Sequence, residues 1–144
     1  MFLMCVDECG DCGMSPGSSD YFILSAMVVH ESQWTELMQR TAKALGKIYS
    51  EYGLGRENEL HAKSMLGRSE KAYTQVSKHN RVLPLRAVLQ FEATLTDCVR
   101  VINVVVCKRG KPADYNVFEH AWDAPVNRFE NTMQHANFPI IKKN

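Results

Sequence analysis

The chain begins MFLMCVDECGDCG, and two adjacent carboxylates, Asp7 and Glu8, end its first apolar run. An unpaired charge on a buried strand is costly. Asp7 therefore either bonds its own turn, as Asx residues do, or holds something positive. It falls at the C-terminal end of a strand expected over residues 2–7, where open α/β sheets build their sites. Alternation puts Asp7 on the side of Leu3 and Cys5 and Glu8 on the other, so the two do not serve one point, and Asp7 is the candidate. A second pair is Glu59 and His61. If that segment is extended, both face the same way. A carboxylate and an imidazole on one face suit a hard divalent cation and proton transfer; the plainer reading is an exposed polar loop pair. Lys108 closes a strand expected to run parallel beside the first. It would there pair with Asp7 or contact a substrate phosphate, or be an ordinary strand-end lysine.

Cys9 and Cys12 form a C-x-x-C, the spacing of a redox pair or half a zinc site. A redox pair wants a helix N-terminus at its first thiol, and the following GMSPGSS does not make one. A zinc site needs a second ligand pair, which Cys98 and Cys107 do not supply from within one strand. Cys5 and Cys107 read as core thiols. His30, His79, His120 and His135 have no assignable partners.

These residues need a scaffold. A second strand is expected over 20–30, where both alternating sets are apolar, so the sheet should be covered on both faces. The turn from Gly10 to Ser19 is too short for a crossover, making the first two strands antiparallel. A helix should run from Ser32, its N-cap, to Tyr52, with Gly53 as its stop. A short helical piece over 69–78 and a helix over 81–95 follow, the latter with Pro84 in its first turn and Leu85, Val88 and Leu89 inward. Residues 98–108 are β-branched almost throughout and read as a strand. A last helix over 114–136, capped by Asp114 and kinked at Pro125, turns Tyr115, Phe118, Trp122, Phe129 and Met133 to one side. NFPIIKKN starts like another strand. This order describes an α/β domain, a mixed sheet with helices on both faces.

With 144 residues, one domain spanning 1–144 is expected. The net charge of +1 offers no general attraction for nucleic acid. No apolar run approaches the ~20 residues of a membrane span. No basic residue precedes the first apolar run, and five cysteines without a secretory signal suggest free thiols in a reducing, cytoplasmic setting.

The opening MCVDECGDCG resembles the hydrophobic-Asp-Glu-Ser-Gly start of a family of uncharacterised domains found in bacteria and phages. DYFILSAMVV is similar to that family's second strand, NELHAKSML to its Glu-(Leu/Ile)-His-Ala segment, VINVVVCKRGK to its strand ending in Lys, and Tyr115–Phe129 to the helix after it. The resemblance covers nearly the whole chain. It implies a ribonuclease H-like fold, a Mg²⁺ or Mn²⁺ site and nuclease-like hydrolysis. It makes Asp7 and Glu59 the metal carboxylates, His61 their neighbour and Lys108 a strand-end companion. Cys9 departs from the family's Ser. PIIKKN stops before the further strand that brings another Asp, so the resemblance implies a C-terminally truncated member. Asp97, Asp114 and Asp123 are poor substitutes for that ligand.

The leading expectation is a metal-dependent phosphodiester hydrolase using Asp7, Glu59 and His61, with Lys108 on the substrate. The alternatives are a non-catalytic binding module and a thiol redox or zinc protein built on Cys9 and Cys12. Nucleic acid is the expected partner, with a homodimer through a C-terminal sheet edge.

Overall fold

β1 (Phe2–Gly10), β2 (Tyr21–His30) and β3 (Val99–Cys107) form the sheet in the computed structural model, which describes residues 1–67, 73, 76–77, 80–135 and 137–138. The helices are α1 (Glu31–Tyr52), α2 (Ala62–Leu66), α3 (Val82–Glu92) and α4 (Val117–Gln134). The protein is therefore of mixed α/β composition. The chain divides into two compact units, one made of 1–31 with 98–144 and the other of 32–97.

The first unit holds the whole described sheet, in the order β1-β2-β3, antiparallel throughout. The expectation of a mixed sheet with β3 beside β1 is corrected here: β3 pairs with β2, and β2 is central. β1 also runs past Asp7 to Gly10, pairing Glu8 with Leu24 and Cys9 with Ile23. The charges do not end the strand because β1 is an edge strand whose last four residues are exposed.

One face of β2, Phe22, Leu24, Ala26 and Val28, is fully buried. Phe22 and Leu24 pack with Val117 and Ala121 of α4, joined by Val6, Val104, Val106 and Trp122. Val117, Ala121 and Pro125 recur every four residues as the buried stripe of α4, so small side chains let the helix come close to the sheet. The large residues expected to face inward flank that seam, and Phe118 and Met133 are exposed. Asn116, not Asp114, caps α4 by accepting from the Glu119 N–H at 3.1 Å. A second apolar contact stacks Phe138 on Phe2 at 4.2 Å between centroids.

The other face of the sheet is open where Tyr21, Ser25, Val101 and Val105 lie, with both valines 59% exposed. Coverage on both faces is thus not what these residues show. Tyr21 carries a polar tip that tolerates water, and Ser25 interrupts the apolar set. Cys5 and Cys107, expected in the core, are exposed as well.

In the second unit, Leu54, Met65, Tyr73 and Val76 form a small core, flanked by Tyr49, Tyr52, Leu60 and Leu85. Gly53, at φ +63°, ends α1 in the left-handed region as expected. Pro84 is buried in the first turn of α3, while Leu89, expected inward, is exposed. The Arg40 guanidinium grips both oxygens of Asp97 at 2.9 and 3.1 Å and the Thr94 carbonyl at 3.0 Å. The helical piece expected over 69–78 lies almost entirely outside the described residues, as does the strand expected in the C-terminal tail.

Ala121 is fully buried beneath the sheet. Ala121→Leu should lower unfolding stability by about 2 kcal/mol through overpacking. Urea denaturation of the two proteins measures the difference, and an unchanged midpoint would contradict the close helix–sheet approach.

Candidate functional site

Asp7 stands opposite Ser25, and Ser25 stands opposite Asn103. Directly paired residues on neighbouring strands share a face, so these three form one row across the sheet. Cys5 and Cys9 flank Asp7 at the i±2 positions of the same face. The row is exposed at Asp7 and Ser25. The Ser25 hydroxyl donates to Asn103 Oδ1 at 2.8 Å. Asp7 has no hydrogen-bond or ion-pair partner among the described residues. Glu8 sits opposite Leu24, on the other face. Exposure removes the cost that a buried charge would carry, and the Asx role belongs to a different residue.

That residue is Asp11. Its Oδ1 accepts from the Gly13 N–H at 2.9 Å and its Oδ2 from the Ser19 N–H at 2.8 Å. Gly10, at φ +94°, opens the turn, and a Cβ there would collide with the Tyr21 carbonyl. Lys108 closes it from β3. Its ammonium donates to the carbonyls of Asp11 at 2.8 Å and Gly13 at 2.6 Å and meets Asp11 Oδ1 at 3.2 Å. The lysine side chain is only 6% exposed. So Lys108 does not pair with Asp7. Its three donors are taken up by the turn, which corrects the expectation that it contacts a substrate phosphate. The Ser19 N–H and hydroxyl, then Lys108, hold the Asp11 carboxyl far below the usual range.

The C-x-x-C runs from the end of β1, which holds Cys9, into this turn, which holds Cys12, with both thiols exposed. Burial, then the negative charge of Glu8, push the Cys12 thiol up. That is the reverse of the lowered pKa that an attacking redox thiol has.

Glu59 and His61 belong to the second unit. The His61 N–H bonds the Glu59 carbonyl at 3.0 Å, so the chain folds at Leu60 instead of running extended, and the premise for a shared face fails. Leu60 packs into the small core. The Glu59 carbonyl also accepts from the Tyr73 hydroxyl. His61 is the N-cap residue of α2, and its Nδ1 lies 2.8 Å from Ser64 Oγ. Both Glu59 and His61 are exposed.

Among the described residues, no three His, Cys, Asp or Glu side chains gather closely enough to hold an ion. The donors beside Asp7 are instead neutral oxygens. A carboxylate, a hydroxyl and an amide carbonyl make a hard, all-oxygen set of the kind that suits Mg²⁺ or Mn²⁺. Mg²⁺ in particular keeps several waters and takes one or two carboxylates together with substrate phosphate. Sequence reading missed Ser25 and Asn103. Their signal is a lone polar residue in the middle of YFILSAMVV and of VRVINVVVC.

Compared with known proteins, the chain matches no family model, no curated protein and no solved structure.

Lys108→Met should destabilise the protein by about 2 kcal/mol through lost charged hydrogen bonds. Asp11 has a lowered folded pKa, so its contribution is complete above the ordinary carboxylate value of about 4 and fades as the pH falls below it. The stability gap between wild type and Asp11→Asn, read from urea melts at a series of pH values, should be open at neutral pH and close in acid. A gap that stays constant would contradict the assigned pairing.

Proposed function

We propose that the protein is a divalent-cation-dependent phosphodiester hydrolase with Asp7 at the centre of its site. The observation that carries this reading is the open row of Asp7, Ser25 and Asn103, an unpaired carboxylate beside two neutral oxygen donors. The ribonuclease H-like assignment belongs to the same proposal. It is supported by the order of the resembling motifs and by an acidic residue on the first strand of an antiparallel ladder.

Asp7, with Ser25 and Asn103 beside it, would hold Mg²⁺ or Mn²⁺, which supplies charge neutralisation at the scissile phosphate and a more acidic water. The Ser25 hydroxyl donates its hydrogen bond to Asn103 Oδ1, so its lone pairs stay available to a cation. Asn103 accepts that bond on Oδ1, which leaves its amide N–H groups to orient a phosphoryl oxygen. In the second unit, the resemblance implies Glu59 as a metal carboxylate and His61 as its neighbour. Nucleic acid is the proposed substrate class.

A non-catalytic binding module is the second reading. It is favoured by Asp7 being the one carboxylate of its row. The homodimer expected through the C-terminal edge rests on residues 139–144, which lie outside the described residues. No helix among the described residues is long and apolar enough to cross a membrane.

The purified chain should cleave single-stranded RNA or DNA oligomers in the presence of Mn²⁺ or Mg²⁺. Asp7→Asn should lower the rate by about 10²-fold or more, and Ser25→Ala and Asn103→Ala by about tenfold each, with circular dichroism unchanged. Glu59→Ala and His61→Ala test the two residues that the resemblance adds. No cleavage, or full activity in Asp7→Asn, overturns the hydrolase; Mn²⁺ binding without cleavage supports the binding module.

A further inference from the structure

Arg128, Asn131 and Thr132 on α4 and His135 at its C-cap have i, i+3, i+4, i+7 spacing, which puts the three helical residues on one face with His135 just beyond its end. That face borders a cavity of about 290 Å³, also lined by Arg100 on β3 and by Asn137 and Phe138. Among the described residues, no aspartate or glutamate lines it. We propose that this cavity binds a phosphate group, as a phosphate monoester or the free anion.

Four observations support it. The first is charge: two guanidiniums and an imidazole converge from two separate elements. Among the described residues, neither Arg128 nor His135 meets a carboxylate at salt-bridge distance. Guanidinium forks match phosphate oxygens two at a time.

The second concerns the carbonyl end of α4, which offers a competing use for these cations. Backbone already meets that need, since the Asn131 carbonyl accepts from the His135 N–H at 3.1 Å and the Thr132 carbonyl from the Asn137 N–H at 3.0 Å.

The third is the division of polar roles. The Thr132 hydroxyl donates back to the Arg128 carbonyl at 2.6 Å, so it offers no proton to an anion. One Arg100 N–H goes to the Val99 carbonyl at 2.9 Å, so Arg100 contributes its positive charge to the cavity. The amides of Asn131 and Asn137, both in the lining, add neutral donors.

The fourth is size. The cavity sits at the lower end of the roughly 300–1,000 Å³ typical of small-molecule pockets, which favours a compact anion. Phe138 is already stacked on Phe2, so its ring is not a platform for a base. The pocket is distinct from the Asp7 row, and the proposal does not depend on the hydrolase reading.

The test is amide NMR of the full chain without divalent cation, titrated with inorganic phosphate and, separately, with 5′-AMP, at ionic strength held constant with chloride. Saturable shifts confined to residues 99–102 and 128–138 are expected. Arg128→Gln should weaken the affinity about tenfold, the loss of one charge-assisted contact, and Asn131→Ala less. Arg86→Gln, an exposed arginine in the other unit, should bind as wild type. The same spectra report whether each variant is folded. Tighter binding of 5′-AMP assigns the ester, and equal binding assigns the free anion; both support the site. Linear, dispersed shifts, or wild-type affinity in both Arg128→Gln and Asn131→Ala, overturn it.

Discussion

A buried ammonium holds the sheet's loop end together. Lys108 reaches from the end of β3 across β2 to the turn that joins β1 to β2, and its acceptors there are two carbonyls and the Asp11 carboxylate. A lysine hidden from water is tolerable only when its charge and donors are satisfied. Satisfying them pins the turn, and the turn sets which residue of β1 lies opposite which residue of β2. The alignment of Asp7 with Ser25 follows from that geometry, as does that of Ser25 with Asn103 through the second ladder. Lys108 therefore acts on the row without touching it.

The sheet's open face is confined to its loop half, since Val29 and Val99 at the other end of the same face are buried. The side under α4 is filled by Phe22 and Leu24 against small helix residues. The opposite side carries Asp7, Ser25 and Asn103 among valines and thiols that water reaches. An edge strand with a wet face can display a carboxylate at little cost, and paired strands hold neighbouring side chains at a fixed spacing. In the second unit, backbone bonds fold the chain at Leu60. His61 stands there at the N-cap position of α2 with its ring on the Ser64 hydroxyl, and Glu59 contributes its carbonyl to Tyr73.

The periodic elements were legible: all three strands and the long helices lie within a few residues of where the apolar patterns put them. Gly53 marked the end of α1 because a left-handed stop is a local property. What depended on distant partners was not legible. The position of β3 beside β2 is decided by pairing across the sheet, which local periodicity does not encode. The helix seam went to Ala121 and Pro125 because close packing favours small residues, while the aromatic stripe drew attention by its size. For the site, the acidic position at residue 7 could be read directly. Its companions could not, since Ser and Asn gain significance only once the register brings them alongside. Lys108 stands out at its strand end, but its partner Asp11 lies 97 positions away in sequence, beyond any local pattern.

The adjacent pair Asp7 and Glu8 has one more implication. A strand shifted by a single residue exchanges its faces, and here the exchange would still present an acid on the open side, with Glu8 replacing Asp7. A chain with this sequence would thus hide a misalignment from any assay that detects only negative charge. Gly10, with no room for a side chain against Tyr21, and Val6, which such a shift would take out of the core, oppose the slip alongside the pinned turn. The fidelity of the acidic position thus depends in part on residues that carry no functional group.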